Sequence, residues 1–198
     1  MKAAIRSGLL ALAAASLPAV ANAHTGVGPA GGLAHGFMHP IGGLDHVLAM
    51  VAVGMFASIL NGRALWLVPT SFVVMMAAGG LLGMNGVHVP FVETGIAASV
   101  VVLGLAVALR WSPSTAAAMG LVSVFAIFHG HAHGVEMPLD ASGVQYALGF
   151  MAATAVLHTV GIAVGLATGR AGANAATAMR FGGGAMAVAG AGLLAGLI

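Results

Sequence analysis

The chain has 198 residues, enough for one domain with a sizeable core, and 60% of them are hydrophobic whereas only 5% are charged, against roughly a quarter in soluble domains. Cysteine is absent and the single lysine is Lys2, which excludes thiolate metal sites, disulfide frameworks and a Walker-type phosphate loop. The formal net charge of +2 vanishes without Lys2 and Arg6, so nothing suggests nucleic acid as a partner, and the composition predicts an integral membrane protein.

Residues 1–23 have the pattern of a cleaved export signal. Two basic residues, Lys2 and Arg6, precede an apolar run that ends in a small-x-small sequence, Ala21-Asn22-Ala23. The run is shorter than the ~20 residues that a membrane span prefers. We therefore expect the mature chain to begin at His24, on the outer side of a bacterial inner membrane.

Six apolar stretches follow, and each is most simply a helix, because backbone inside a bilayer must satisfy its own hydrogen bonds. They cover, approximately, residues 44–60, 64–84, 89–109, 115–128, 144–166 and 181–198. Residues 24–198 are thus predicted to form an all-α polytopic bundle of about six transmembrane helices. Gly161, Gly165 and Gly169 form a ladder of small residues, which is typical of closely packed membrane helices.

The arginines predict the orientation of this bundle. With the mature N-terminus outside, the loops after the first, third and fifth spans are cytoplasmic. They contain all four basic residues of the mature chain, Arg63, Arg110, Arg170 and Arg180. This agrees with the positive-inside rule, and it independently supports an inner-membrane protein with a periplasmic mature N-terminus.

In this predicted topology, all four acidic residues and eight of the nine histidines lie at the periplasmic side. The mature chain has no lysine or arginine at that side. A carboxylate near hydrocarbon needs a counter-charge, and here only protonated histidine or a bound cation can supply it. Only His158 lies deeper, inside the fifth span. The periplasmic groups are Asp45, Glu93, Glu136 and Asp140, with His24, His35, His39, His46, His88, His129, His131 and His133.

The first cluster of these groups, His39-Pro40-Ile41-Gly42-Gly43-Leu44-Asp45-His46, opens the first span. The proline and the glycine pair predict a turn or a broken helical start, which can fold His39 back towards Asp45 and His46. Asp45 alone would suit a helix N-terminus, where the macrodipole stabilises a carboxylate. Because two histidines flank it at a membrane entrance, we favour metal binding.

The second cluster ends the fourth span. If the helix continues, His133 follows His129 by four residues and Glu136 follows His133 by three, so the three side chains share one face. Two imidazoles and a carboxylate on one face suit a borderline divalent ion such as Ni²⁺, Co²⁺ or Zn²⁺. The roles of four further residues stay open, namely His24, Glu93, His131 and His158; for His158 the alternatives are a helix–helix hydrogen bond and a relay further along the path.

Taken together, the two clusters resemble those of the HupE/UreJ family of hydrogenase and urease accessory membrane proteins, and the resemblance covers essentially the whole chain. The matching motifs are His39-Pro40-x-x-Gly43-x-Asp45-His46 and Phe128-His129-Gly130-x-Ala132-His133-Gly134-x-Glu136-x-Pro138.

The resemblance implies a secondary permease that imports Ni²⁺, or Co²⁺, from the periplasm for metalloenzyme maturation. It implies no permanent cofactor, and its partners are the transported divalent ion and the lipid bilayer. The metal-binding residues that it implies are His39, Asp45, His46, His129, His133 and Glu136.

Three other functions fit parts of the pattern. An intramembrane zinc hydrolase would hold zinc with three ligands and activate water with a carboxylate, and paired histidines can also bind haem. Neither function explains why the acidic residues and the imidazoles are concentrated at one end of the bundle, so we do not expect an enzyme. A metal sensor or chaperone that binds without transport is the third alternative. The sequence leaves open the metal, proton coupling and the oligomeric state, for which a homo-oligomer is one option.

Overall fold

The computed structural model describes residues 32–137 and 141–198, and all regular secondary structure within them is α-helical. The predicted signal segment, His24 and Asp140 lie outside the described residues. The helices in chain order are α1 (Gly32–Gly42), α2 (Leu44–Leu60), α3 (Ala64–Met84), α4 (Val92–Ala108), α5 (Thr115–Glu136), α6 (Ala141–Arg170) and α7 (Ala173–Leu194). The predicted all-α class is therefore confirmed.

Helices α2 to α7 correspond to the six predicted apolar stretches, and α2 and α3 have the predicted bounds. Helix α5 continues past residue 128 to Glu136, so the second histidine cluster is helical, as its spacing required. Helix α1 was not predicted as a regular helix. The expected break is present at Gly43, where the chain bends by 83° between α1 and α2, but the residues before it are helical because they pack against α6.

Three of these helices are long and apolar enough to cross a membrane, namely Ala64–Met84, Thr115–Glu136 and Ser142–Arg170. The bent pair α1 and α2 makes a fourth candidate if it counts as one broken span, and Val92–Ala108 is apolar but shorter. The described part of the chain is thus a membrane-embedded helical bundle. The total of six spans stays a prediction.

Glycines let α3 and α5 pack backbone against backbone. A Cβ atom on Gly130 would overlap the carbonyl group of Met76, and one on Gly134 would overlap that of Gly80. Contacts advance in the same direction along both helices, so α3 and α5 run parallel. Close approach through small residues is the usual way in which membrane helices gain van der Waals contact.

The predicted glycine ladder of α6 is confirmed at two of its three positions. Gly161 lies against Gly54 of α2, and Gly165 lies against Ser58 one turn further on. The prediction is wrong for Gly169, which faces open space. The reason is length, because α2 ends at Leu60 while α6 continues to Arg170.

The bundle has two chemically different ends. Helices α2, α4 and α6 finish where Arg63, Arg110 and Arg170 lie, and Arg180 donates a hydrogen bond from Nε to the Ala108 carbonyl at 3.1 Å. We call this the arginine end. The opposite end, where α2 begins and α5 finishes, carries the two predicted clusters, and we call it the histidine end.

Candidate metal site

The break between α1 and α2 shapes the first half of the site. Gly43 is extended (φ −97°, ψ 119°) and starts α2 without a side-chain cap. A Cβ atom at this position would lie 2.8 Å from Asp45 Oδ1 and 3.2 Å from His46 Nδ1. Glycine therefore leaves the space into which the Asp45 carboxylate folds.

Asp45 orients the imidazole of His46. Its Oδ1 accepts a hydrogen bond from the His46 backbone N–H at 2.8 Å and lies 2.8 Å from His46 Nδ1. With the Nδ1–H donated to the carboxylate, Nε2 of His46 presents a lone pair to the interior of the site. A carboxylate behind a histidine in this way is the usual support for a metal-binding imidazole.

The two clusters meet at His46 and His133. Their Nε2 atoms are 2.6 Å apart although the residues are 87 positions apart in sequence, and both residues are 7% exposed. Two imidazoles this close share one hydrogen bond, which His133 donates if His46 gives its own proton to Asp45. An ion with metal–nitrogen distances near 2.1 Å can bind both nitrogens after they separate by less than about 1 Å and the His133 proton moves from Nε2 to Nδ1, which has no hydrogen-bond partner among the described residues.

His133 also takes part in a group nearer the surface. The ligand atoms of His39, His133 and Glu136 all lie within 4.8 Å of one another. Glu136 is exposed, His39 is partly buried and His133 is buried. This trio, which we call the mouth, offers two nitrogens and a carboxylate to a cation that approaches the histidine end.

His129 lies one helical turn deeper than His133 and is fully buried. Its ring centroid is 4.7 Å from that of His46, and its Nε2 is 3.0 Å from the hydroxyl oxygen of Ser99 on α4. Ser99 donates its own proton to the Ile96 carbonyl at 2.6 Å, so it accepts from His129 Nε2–H. The lone pair on His129 Nδ1 then remains free, and this atom has no hydrogen-bond partner among the described residues.

Aromatic side chains wall the site. The Phe150 ring centroid is 4.3 Å from that of His133, Tyr146 is 5.7 Å from His39, and Phe72 is 5.7 Å from His129. Sequence reasoning missed these residues and Ser99. The sequence could have identified Ser99, because a hydroxyl group in an apolar helix is a polar group that needs a partner. It could not have identified the phenylalanines, because phenylalanine is common in membrane spans.

The structure thus brings all six predicted site residues to one place, in two groups that meet at His133. The mouth contains His39, His133 and Glu136, and the second group contains Asp45, which is half-buried, with the buried His46 and His129. The four arginines of the described chain lie at or near the arginine end, so the Asp45 carboxylate has the His46 imidazole, and no arginine, as its side-chain partner. Metal binding by these residues stays a prediction.

The remaining polar residues lie around this centre. His131 is buried, and its Nε2 donates to the Val87 carbonyl at 2.8 Å, which fastens the α3–α4 loop to α5. His35 is exposed, with its ring centroid 6.2 Å from that of His39. Glu93 is exposed in the first turn of α4, and His88 is exposed in the loop before it.

Comparisons with known proteins point in one direction. The HupE/UreJ protein family profile matches residues 10–193 of this chain. Protein HupE of Rhizobium leguminosarum bv. viciae is 50% identical over 185 residues, which is 93% of this chain and 95% of that protein. No solved structure matches the chain. The matching family is one of transport and accessory proteins and not of enzymes, and it supports a general role in nickel or cobalt transport for hydrogenase or urease.

Proposed function

The chain belongs to the HupE/UreJ family, and from this premise we propose that it is a secondary permease that imports Ni²⁺, or alternatively Co²⁺, from the periplasm across the inner membrane. The imported ion would serve the maturation of a metalloenzyme. Family membership supports the broader accessory and transport role. The direction of transport and the identity of the ion go beyond this role, and they are what we propose here.

One observation carries the proposal, namely the meeting of two distant motifs at the His46 and His133 Nε2 atoms, 2.6 Å apart. Imidazole nitrogens with a few carboxylate oxygens form the ligand set that borderline divalent ions prefer. The cluster has carboxylates and no lysine or arginine, so an incoming dication supplies the balancing charge. Affinity alone does not favour nickel over copper in such a site, so geometry and metal supply must provide selectivity.

Burial increases from Glu136 and His39 to His129, and this order suggests a different role for each residue in binding the ion. Glu136 and His39 meet solvent and capture the hydrated ion, whereas His133 and His46 are 7% exposed and replace its water. His129, fully buried, would take the ion next through its free Nδ1. Each step exchanges one or two ligands, so the ion never needs to lose all of its partners at once.

The membrane potential can drive this movement. A charge that crosses the membrane gains ~2.3 kcal/mol per 100 mV, and a divalent ion gains twice as much. The chain has one lysine, at position 2, so ATP hydrolysis through a Walker-type loop is excluded. We therefore propose downhill uptake.

Uptake of radioactive Ni²⁺ into proteoliposomes with a negative-inside potential tests the proposal. We expect His133→Ala and Asp45→Asn to lower the initial rate at least tenfold, because each removes a ligand or the support of one. His88→Ala is the matched control, since His88 is an exposed histidine at the same end of the bundle. Normal uptake by both site variants would refute the site assignment, and Ni²⁺ binding without uptake by the unmodified protein would favour a sensor or chaperone.

A further inference from the structure

His158 is a buried polar residue to which the site just described gives no role. It lies in α6, is 1% exposed, and neither of its ring nitrogens has a hydrogen-bond partner among the described residues. The other buried histidines each have at least one bonded nitrogen, through Ser99, Val87 or each other. Burial of an unpaired polar group is costly, and such a group in a folded protein calls for an explanation.

The position of His158 connects it to the metal site. The Phe72 ring on α3 is close to two imidazoles, with its centroid 5.7 Å from that of His129 and 5.2 Å from that of His158. The two histidines thus contact the same aromatic ring. His158 is the next imidazole inwards from the fully buried end of the proposed path.

A stripe on α6 leads from the cluster to His158. Phe150, Thr154 and His158 are spaced four residues apart, so they lie on one helical face. Phe150 walls His133, and the Thr154 hydroxyl contacts the Met76 sulfur at 3.8 Å. At 1.5 Å per residue, His158 lies roughly 12 Å deeper along α6 than Phe150.

A structural role as a helix–helix hydrogen bond does not account for His158. Such a bond needs a partner on a neighbouring helix, and the described residues provide none for either nitrogen. A neutral imidazole keeps one nitrogen with a free lone pair, and such a nitrogen binds borderline divalent ions well.

We propose that His158 is an inner binding residue for the divalent ion in transit, beside the Phe72 ring that also contacts His129 of the outer cluster. This inference rests on the proposed transport function. No carboxylate accompanies His158 in α6, so a dication there would have little charge compensation and would stay only briefly. The residue would therefore affect the rate of passage and leave the affinity of the outer cluster unchanged.

The test compares two substitutions of similar size, His158→Gln and His158→Leu. Glutamine keeps an oxygen lone pair, whereas leucine has no donor atom. Initial Ni²⁺ uptake into proteoliposomes reports passage, and calorimetric titration of the purified protein with Ni²⁺ reports the outer cluster. We expect His158→Leu to slow uptake at least tenfold and His158→Gln to retain clearly more uptake, with both Kd values within twofold of the unmodified protein.

Thr159→Val is the matched control, because Thr159 is the next residue of α6 and is exposed, and its uptake should not change. If His158→Leu does not yield folded protein, His158→Met replaces it, since a thioether is a poor ligand for Ni²⁺. Unchanged uptake by the donor-free variant, or equally slow uptake by both variants, would overturn the inference alone. Absence of uptake by the unmodified protein would refute the proposed function, and this inference with it.

Discussion

At the scale of single residues, hydrogen bonds decide which nitrogen of each histidine is available. Asp45 accepts a hydrogen bond from Nδ1 of His46, and Ser99 accepts one from Nε2 of His129. The nitrogen left available for an ion is therefore Nε2 in His46 and Nδ1 in His129. Supports of this kind fix the tautomer and the direction of a ligand, and their loss typically weakens metal binding tenfold to a hundredfold. Two predictions follow from the two supports.

The first prediction concerns the glycine behind Asp45. We expect Gly43→Ala to push the Asp45 carboxylate away from His46 Nδ1, because the new Cβ atom would lie 2.8 Å from Asp45 Oδ1. Only the end of a flexible side chain must move, so the protein should still fold while Ni²⁺ affinity falls at least tenfold in calorimetric titration. Gly42→Ala is the control, since a Cβ atom there meets nothing within 4 Å. Equal affinities of the two variants would contradict the assigned role of the carboxylate.

The second prediction concerns Ser99. Ser99→Ala removes the acceptor for His129 Nε2–H, so the imidazole is no longer held in one tautomer. Nickel uptake should fall by about tenfold. Ser71→Ala controls for the loss of a serine, because Ser71 donates only to the Val68 carbonyl of its own helix. If the two variants transport alike, Ser99 does not support the path.

At the scale of helices, the close packing of α3 and α5 determines where the second cluster lies. The contacts of Gly130 and Gly134 with the backbone of α3 allow α5 to approach without side chains in between. His129 and His133 alternate with these glycines along α5, so the packed face and the imidazoles belong to the same two turns.

We expect Gly130→Ala to force α3 and α5 apart, because the new methyl group would overlap the Met76 carbonyl and backbone cannot yield as a side chain does. Overpacking of this type typically costs about 1–3 kcal/mol of folding free energy. Thermal unfolding in detergent should show a lower midpoint for this variant. Gly120→Ala, on the same helix but with open space around it, should unfold at or above the midpoint of the unmodified protein.

At the scale of the whole molecule, the arginines and the clustered histidines lie at opposite ends of the bundle, and this separation predicts its orientation in the membrane. The positive-inside rule predicts that the arginine end faces the cytoplasm, and we therefore expect the mouth to face the periplasm. In this orientation, an ion that entered through the mouth would move down the membrane potential, as the proposed downhill uptake requires.

This orientation can be measured directly, because the chain has no cysteine. We expect His88→Cys, at the histidine end, to react with a membrane-impermeant maleimide in intact cells. Ser112→Cys, exposed in the loop after α4 at the arginine end, should react only after the membrane is permeabilised. The opposite labelling pattern would reverse the direction of transport that we propose.

The sequence by itself determined the features that depend on composition and on local geometry. Sparse charge predicts membrane embedding, and the spacing of His129, His133 and Glu136 predicts one helical face once α5 is continuous. The predicted bounds of α2 and α3 also agree with the structure. These features need only residues that are close in sequence, and that is why they could be predicted.

Only the tertiary structure decided which distant groups meet. The 2.6 Å approach of His46 to His133, the hydrogen bond of Ser99 to His129 and the unpaired nitrogens of His158 depend on how α2, α4, α5 and α6 pack together. Helix α1 likewise owes its regular form to its packing against α6. Inside a bilayer all helices are similarly apolar, so hydrophobicity does not select their partners, and the fit of small residues between backbones determines the arrangement.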